Sequence, residues 1–178
     1  MTARTLPEKI LAVHDALGAL PHAFGGALAL AYYAEPRATI DIDLNVFVPP
    51  TQAAAVLGVL APLGVHGSIE LAPADGQVRL WWGNNPVDLF FSYDRLHDAA
   101  AKAVRTVPFA ETAIPILSAN HLVVFKTVYD RPKDWVDIEA MREADDDLDI
   151  AEILRWVGRI CGDTDRRYDR IAAVLTVG

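Results

Sequence analysis

From Ile40 to Val48 the chain alternates. Ile40, Ile42, Leu44, Val46 and Val48 fall on one parity, and Asp41, Asp43 and Asn45 fall on the other. Successive side chains of a strand point to opposite faces, so this stretch predicts a strand with one continuously aliphatic face. The other face carries two carboxylates side by side. Pro49-Pro50 ends the strand, because proline has no N–H to give to a ladder.

Two carboxylates at i and i+2 on one strand face stand roughly 6–7 Å apart. At an effective dielectric of about 20 they repel by roughly 2.5 kcal/mol. A raised pKa, a nearby cation or full solvation would relieve that repulsion. A hard divalent cation such as Mg²⁺, which prefers carboxylate and phosphate oxygens, does so most economically. The ordinary alternative is a strand end with two solvated aspartates. Upstream, Gly25-Gly26 follow Ala23-Phe24 and open what reads as a short helix, Ala27 to Tyr33. A glycine turn feeding a helix N-terminus presents amides and a positive dipole end, which suits phosphate. Alone it would be a tight turn. Together, the two features point to a nucleoside triphosphate held by its phosphates and by Mg²⁺.

The 178 residues make one domain, or one domain with a small helical appendage, and 52% apolar content supplies a core. Cys161 is the single cysteine, which excludes an internal disulfide and a cysteine-rich zinc site and fits a reducing cytoplasm. MTARTLPEKI has no apolar segment of the secretory kind, and the run Ala23 to Ala34 is too short to span a bilayer. The expectation is a soluble cytoplasmic protein with no membrane partner. A net charge of −8 argues against a broad, sequence-independent nucleic-acid footprint but leaves room for a local basic patch. Much of the acidity lies in Glu143 to Asp149, read as a solvated link between helices.

Residues 7–20 read as an amphipathic helix, and Thr51 as the cap of another over 51–61. Strands are expected over Val65–Leu71 and Gln77–Trp82, with Asp75-Gly76 as a hairpin turn. Trp81 and Trp82 must point oppositely, one to the core and one to the rim. Asn84-Asn85-Pro86 turns the chain into the strand Val87–Phe91, where Asp88 is the lone acid. Such an aspartate is costly unless paired or metal-bound. A helix follows over Tyr93–Val104, then a hairpin-like stretch over Val107–Leu117. Ser118 caps a strongly apolar helix through Val128, in which Lys126 is the exception. Asp134 reads as an N-cap with Asp137 at the third helical position. Helices over 148–161 and 164–176 close the chain. Their arginines, Arg155, Arg159, Arg166, Arg167 and Arg170, read either as a solvated face or as a docking surface for an acidic acceptor.

The run Gly25-Gly26, fourteen residues, Asp41-Ile-Asp43 resembles the signature of the DNA polymerase β-like nucleotidyltransferase superfamily. The wording GGALALAYYAEPRATIDIDL, with Arg37 ahead of the strand, is most similar to the AbiEii and MenT-type nucleotidyltransferase toxins. A third block agrees with those families, a helical Lys126 followed by Arg131, Lys133, Asp134, Asp137 and Ile138 in the same order. The resemblance covers about residues 22 to 140. It implies an α/β nucleotidyltransferase fold, with a small mixed sheet flanked by helices as a core over 1–117. A helical part, 118–178, would pack on that core. It implies transfer of a nucleoside monophosphate from ATP or another triphosphate to an acceptor hydroxyl, with release of pyrophosphate. Asp41, Asp43 and Asp88 would hold Mg²⁺ or Mn²⁺, and Asp88 would be third ligand or general base. Gly25, Gly26, Arg37 and Lys126 would bind phosphate, with Asp137 pairing Lys126. The expected acceptor is tRNA or another macromolecule, and a cognate antitoxin is a possible partner. Alternatives are an aminoglycoside- or lincosamide-type antibiotic as acceptor, or a nucleotide-binding module of a toxin–antitoxin pair without turnover.

Overall fold

The structure is a computed structural model that describes residues 4–67, 76–144 and 147–176. Its elements in chain order are α1 (Leu6–Leu17), β1 (His22–Phe24), α2 (Gly26–Leu30), β2 (Ile42–Val46), α3 (Ala53–Leu60), β3 (Gln77–Trp82), β4 (Asn85–Phe91), α4 (Arg95–Lys102), β5 (Arg105–Phe109), β6 (Thr112–Ile116), α5 (Ala119–Tyr129), α6 (Pro132–Ala144), α7 (Ile150–Cys161) and α8 (Arg166–Thr176). Short 3₁₀ turns, Pro50–Gln52 and Ala61–Leu63, flank α3. The chain forms two compact units. The first comprises residues 1–28 and 38–117, the second residues 29–37 and 118–178. No helix among the described residues is long and apolar enough to cross a membrane.

The first unit is built on a six-stranded mixed sheet in the order β3-β4-β2-β1-β6-β5. β2 runs parallel to β4 and antiparallel to β1, while β3–β4 and β5–β6 are antiparallel hairpins. Residues in register share a face of the sheet. Ile42, Leu44 and Val46 pair with Val87, Leu89 and Phe91, and Leu80 and Val78 continue the rows on β3. All of these are buried, so one face of the sheet is the core. The opposite face carries Asp43, Asp88 and Arg79 in one cross-strand row. Trp82 lies on the core side at 9% exposure and Trp81 on the other at 44%, as opposite-facing neighbours on a strand must.

Several boundaries differ from expectation. The Asp strand begins at Ile42 rather than Ile40, and Ile40 is 61% exposed. Its carbonyl accepts from Asn85 Nδ2, not from a ladder partner. α2 has five residues instead of seven. Thr51 lies within a 3₁₀ turn, and α3 starts at Ala53 without a side-chain cap. Pro86 is inside β4, because the hairpin turn falls on Gly83-Asn84, one residue earlier than the Asn-Asn-Pro reading. The expected strand over Val65–Leu71 and the turn at Asp75-Gly76 lie largely outside the described residues. Here only the His66–Trp81 bridge is described.

The second unit is helical. Its buried residues include Leu122, Val123, Trp135, Ile138, Met141, Ile153, Val157, Ile171 and Leu175. Asp134 is in the first turn of α6 rather than at its N-cap. Each unit buries a histidine. Burial holds the pKa of His22 down, against the Leu20 carbonyl beside its ring, and does the same to His121. A histidine kept neutral in the fold but free to charge when unfolded makes the unfolded state the better proton binder. Stability is therefore full above the unfolded value of about 6.5 and is lost as pH falls below it. The melting temperature should drop between pH 7.5 and 5.5, before carboxylates titrate, and a flat profile there would count against this account.

Candidate active site

In the first unit β1 leads straight into Gly25-Gly26, and the Gly25 N–H donates to the Asp43 carbonyl at 2.9 Å. That amide, expected to face phosphate, is instead committed to the sheet. Gly26 has φ +53°. A Cβ there would lie 2.5 Å from Asp43 Cγ and 2.9 Å from its Cβ, and nearer still to Oδ2. The second glycine thus has a definite role: it leaves the space that the Asp43 carboxylate fills. Because α2 is only five residues long, a dipole at its N-terminus adds little.

Asp43 and Asp88 are register partners on neighbouring parallel strands, and Asp41 lies two residues ahead of Asp43. Asp88 is 4% exposed at its side chain. Its burial is made tolerable by Arg79, which stands opposite it on β3. Arg79 Nε donates to Asp88 Oδ1 at 2.8 Å and Nη2 to Oδ2 at 2.7 Å, a bidentate pair, and Gln77 Nε2 donates at 3.4 Å. The hydrogen bonds and charge of Asp88 hold the Arg79 guanidinium above its usual pKa, and Asp41 and Asp43 add to that. Arg79 is the residue that sequence reasoning missed.

The aspartates on this face offer the carboxylate oxygens that hard cations prefer, and Gly26 leaves the space that the Asp43 carboxylate fills. Asp41 and Asp43 fit such an ion chemically. Yet among the described residues no three His, Cys, Asp or Glu side chains gather closely enough to hold one. Asp88, the expected third ligand, faces Arg79 instead.

In the second unit Asp137 is the hub. Arg37 donates to it through Nε at 2.8 Å and Nη2 at 2.9 Å, and Lys126 Nζ through a 2.6 Å bond. Lys126 is 4% exposed and stands 3.6 Å from Asp134 Oδ1. Asp134, fully buried, also takes Nε and Nη2 of Arg131. Burial acts to raise the Asp137 pKa, but the bonds from Arg37 and Lys126 outweigh it and hold the carboxyl below its ordinary value. The expected Lys126–Asp137 pair is therefore formed, with Arg37 as a third member. Lys126 is not a surface lysine with its charge in water. The arginines of α7 and α8 mostly have local partners: Arg166 pairs with Asp130, Arg167 with Asp165 and Arg155 with Glu152, while Arg159 and Arg170 lie over Trp156 and Trp135.

No family model and no curated protein matches the chain. Solved structures do. The antibiotic-resistance factor ANT(2'')-Ia in solution superposes with a TM-score of 0.60 at 19% identity, over 95% of this chain and 92% of that one. The lincosamide antibiotic adenylyltransferase LnuA, lincomycin-bound, gives 0.57 at 15% identity, over 80% and 100%. ANT(2'')-Ia in complex with adenylyl-2''-tobramycin gives 0.53 at 18% identity, over 94% and 91%. At these identities the likeness is one of fold: a mixed sheet flanked by helices, as in nucleotidyltransferases.

Proposed function

We propose that this protein is a metal-dependent nucleotidyltransferase that moves a nucleoside monophosphate from a triphosphate to an acceptor hydroxyl. The observation that carries the reading is the carboxylate row: Asp43 and Asp88 in register on neighbouring parallel strands, Asp41 two residues away, and Gly26 shaped to Asp43. Asp41 and Asp43 would hold Mg²⁺ or Mn²⁺, and Asp88 would join them as third ligand only once Arg79 releases it. Such an ion would supply charge neutralisation at the triphosphate and would polarise the attacked phosphorus. Once released by Arg79, Asp88 would accept the proton of the acceptor hydroxyl as the hydroxyl oxygen bonds to the α-phosphorus, and the bond from the α-phosphorus to the oxygen bridging it to the β-phosphorus would break to release pyrophosphate. Chemistry of this kind rests on positioning and charge stabilisation. Within the second unit, Arg37 is the more open of the two cations on Asp137. Its side chain is 38% exposed, whereas Lys126 is enclosed by Asp137 and Asp134.

Two acceptors are in view. The resemblance to toxin families favours tRNA, with a cognate antitoxin as regulator. Charge favours a small hydroxylated antibiotic. The chain carries −8, and Arg155, Arg166 and Arg167 each have a carboxylate beside them, which lowers the net positive charge those helices offer a polyanion. The structural neighbours include one enzyme in complex with adenylyl-2''-tobramycin and another bound to lincomycin, which supports the same choice. We therefore favour the small acceptor.

The test is to incubate the protein with each α-labelled triphosphate and Mg²⁺, adding either total RNA or a panel of aminoglycosides and lincosamides. Label on a small molecule supports this reading, and label on RNA reverses the choice of acceptor. Nucleotide bound without any transfer would leave only the binding-module alternative. The metal claim has its own measurement. Mg²⁺ with a triphosphate should raise the melting temperature of the wild type through ligand linkage. Asp43→Asn should remove that shift while still unfolding cooperatively, and an undiminished shift in the variant would sink the assignment.

A further inference from the structure

The nucleotidyl-transfer reading leaves Arg79 unexplained, and the following inference rests on that reading. A buried carboxylate needs a cation, and removing one partner of such a pair leaves an uncompensated charge. Asp88 has its cation in Arg79, held by two hydrogen bonds of 2.7–2.8 Å. The two partners are unequal. The Asp88 side chain is 4% exposed, whereas that of Arg79 is 55% exposed. β3, which carries Arg79, is one end of the six-stranded order among the described residues, with the His66 bridge beyond it at Trp81. The arginine reaches in from solvent and can swing back to it, while the aspartate is fixed on β4. The carboxylate row would then need another positive charge, and the same row contains Asp43. Withdrawal of Arg79 would also release Asp88 Oδ2 and leave Oδ1 only the long bond from Gln77.

We propose that Arg79 is a positioning residue that serves as the internal counter-cation of Asp88 and yields that carboxylate to the divalent cation, thereby setting how tightly the ion binds. Arg79 and the ion compete for one ligand, so the apparent affinity for metal is lowered by the fraction of molecules in which Arg79 still holds Asp88. A fixed cross-strand ion pair would behave differently. It would contribute to stability and leave metal affinity alone.

Mn²⁺ alone, titrated into the full chain and followed by its free-ion paramagnetic resonance signal, separates the two. Arg79→Gln should bind Mn²⁺ about tenfold more tightly than wild type, as expected if Arg79 occupies Asp88 about nine-tenths of the time. Arg79→Lys, which keeps the charge but loses the bidentate geometry, should fall between them. Asp43→Asn is the control for the carboxylate site and should lose the ion. If Arg79→Gln does not fold, the wild type still answers. The Nε–H resonance of Arg79 should shift towards that of a solvated arginine as Mg²⁺ is added. Equal Mn²⁺ affinity in wild type and Arg79→Gln, with binding lost in Asp43→Asn, would overturn the role of Arg79 and leave the transfer reading standing. An Nε–H resonance unmoved by saturating Mg²⁺ would overturn it too. Failure of the wild type to bind Mn²⁺ at millimolar concentration would overturn both.

Discussion

Asp137→Ala is expected to cost about 3–5 kcal/mol of stability, the range for breaking a buried ion pair from one side. Asp137 is 3% exposed and accepts bonds from both Arg37 and Lys126. Arg37, partly exposed, can turn to water when its partner goes. Lys126, at 4% exposure, cannot, and is left with Asp134 at 3.6 Å, a carboxylate already engaged by Arg131. Replacing both charges by apolar groups, Lys126→Met with Asp137→Leu, should recover most of the loss, since well-packed apolar replacements of buried pairs are often near neutral. Urea denaturation of the two variants measures this directly. A loss under about 1 kcal/mol in Asp137→Ala would place it in the range of ordinary helix-terminus changes and refute the hub. The acid limb gives a second readout. Because the folded pKa is depressed, the stabilisation is present above the unfolded value of about 3.9 and fades as pH falls through the folded one. The variant, lacking that contribution, should lose less stability than wild type as the solution is acidified below about pH 4.

Gly26→Ala should lower the transfer rate by about two orders of magnitude, the loss associated with displacing a reacting group by roughly 1 Å. It should also remove the Mg²⁺–triphosphate melting shift. Two causes act together. The φ of +53° costs a non-glycine residue about 1–2 kcal/mol. The added methyl would overlap the Asp43 carboxylate, so that side chain must move. Gly58→Ala is the matched control. Gly58 lies exposed on α3, where a Cβ would meet nothing within 4 Å, and alanine there should be neutral or stabilising by about 0.5–1 kcal/mol. Normal transfer by Gly26→Ala would mean that Asp43 does not need the position it holds here.

The aliphatic face of β2 was legible because a period of two leaves little choice once one face is buried. Asp88 was legible as a puzzle, since an aspartate in so apolar a strand had to have a partner. The identity of that partner was not legible, for a specific reason. Placing the turn at Asn84-Asn85-Pro86 puts the β3–β4 register out. With the turn at Gly83-Asn84, Trp82 faces Asn85, and three steps away on each strand Arg79 faces Asp88. Gly83, at φ +61°, was the available signal. The Lys126–Asp137 pair followed from the resemblance, but Arg37 as its third member did not, because nothing local joins residues so distant along the chain. The length of α2 was overstated for a different reason. Ala27 to Tyr33 is apolar throughout, and composition without periodicity does not fix where a helix stops.

The second unit is assembled from residues 29–37 and 118–178, and this governs how the protein can be cut. A fragment starting at Ser118 would carry Lys126, Asp134 and Asp137 but leave Arg37 behind. A protease nick after Leu117 would not release the unit either, since one of its strips remains on the N-terminal piece. The two pieces, expressed separately, would each hold part of a single helical core and should have to recombine for Asp137 to recover both of its cations. The junction is therefore a natural place to split the molecule into a complementation pair rather than a place to divide it into two independent folds.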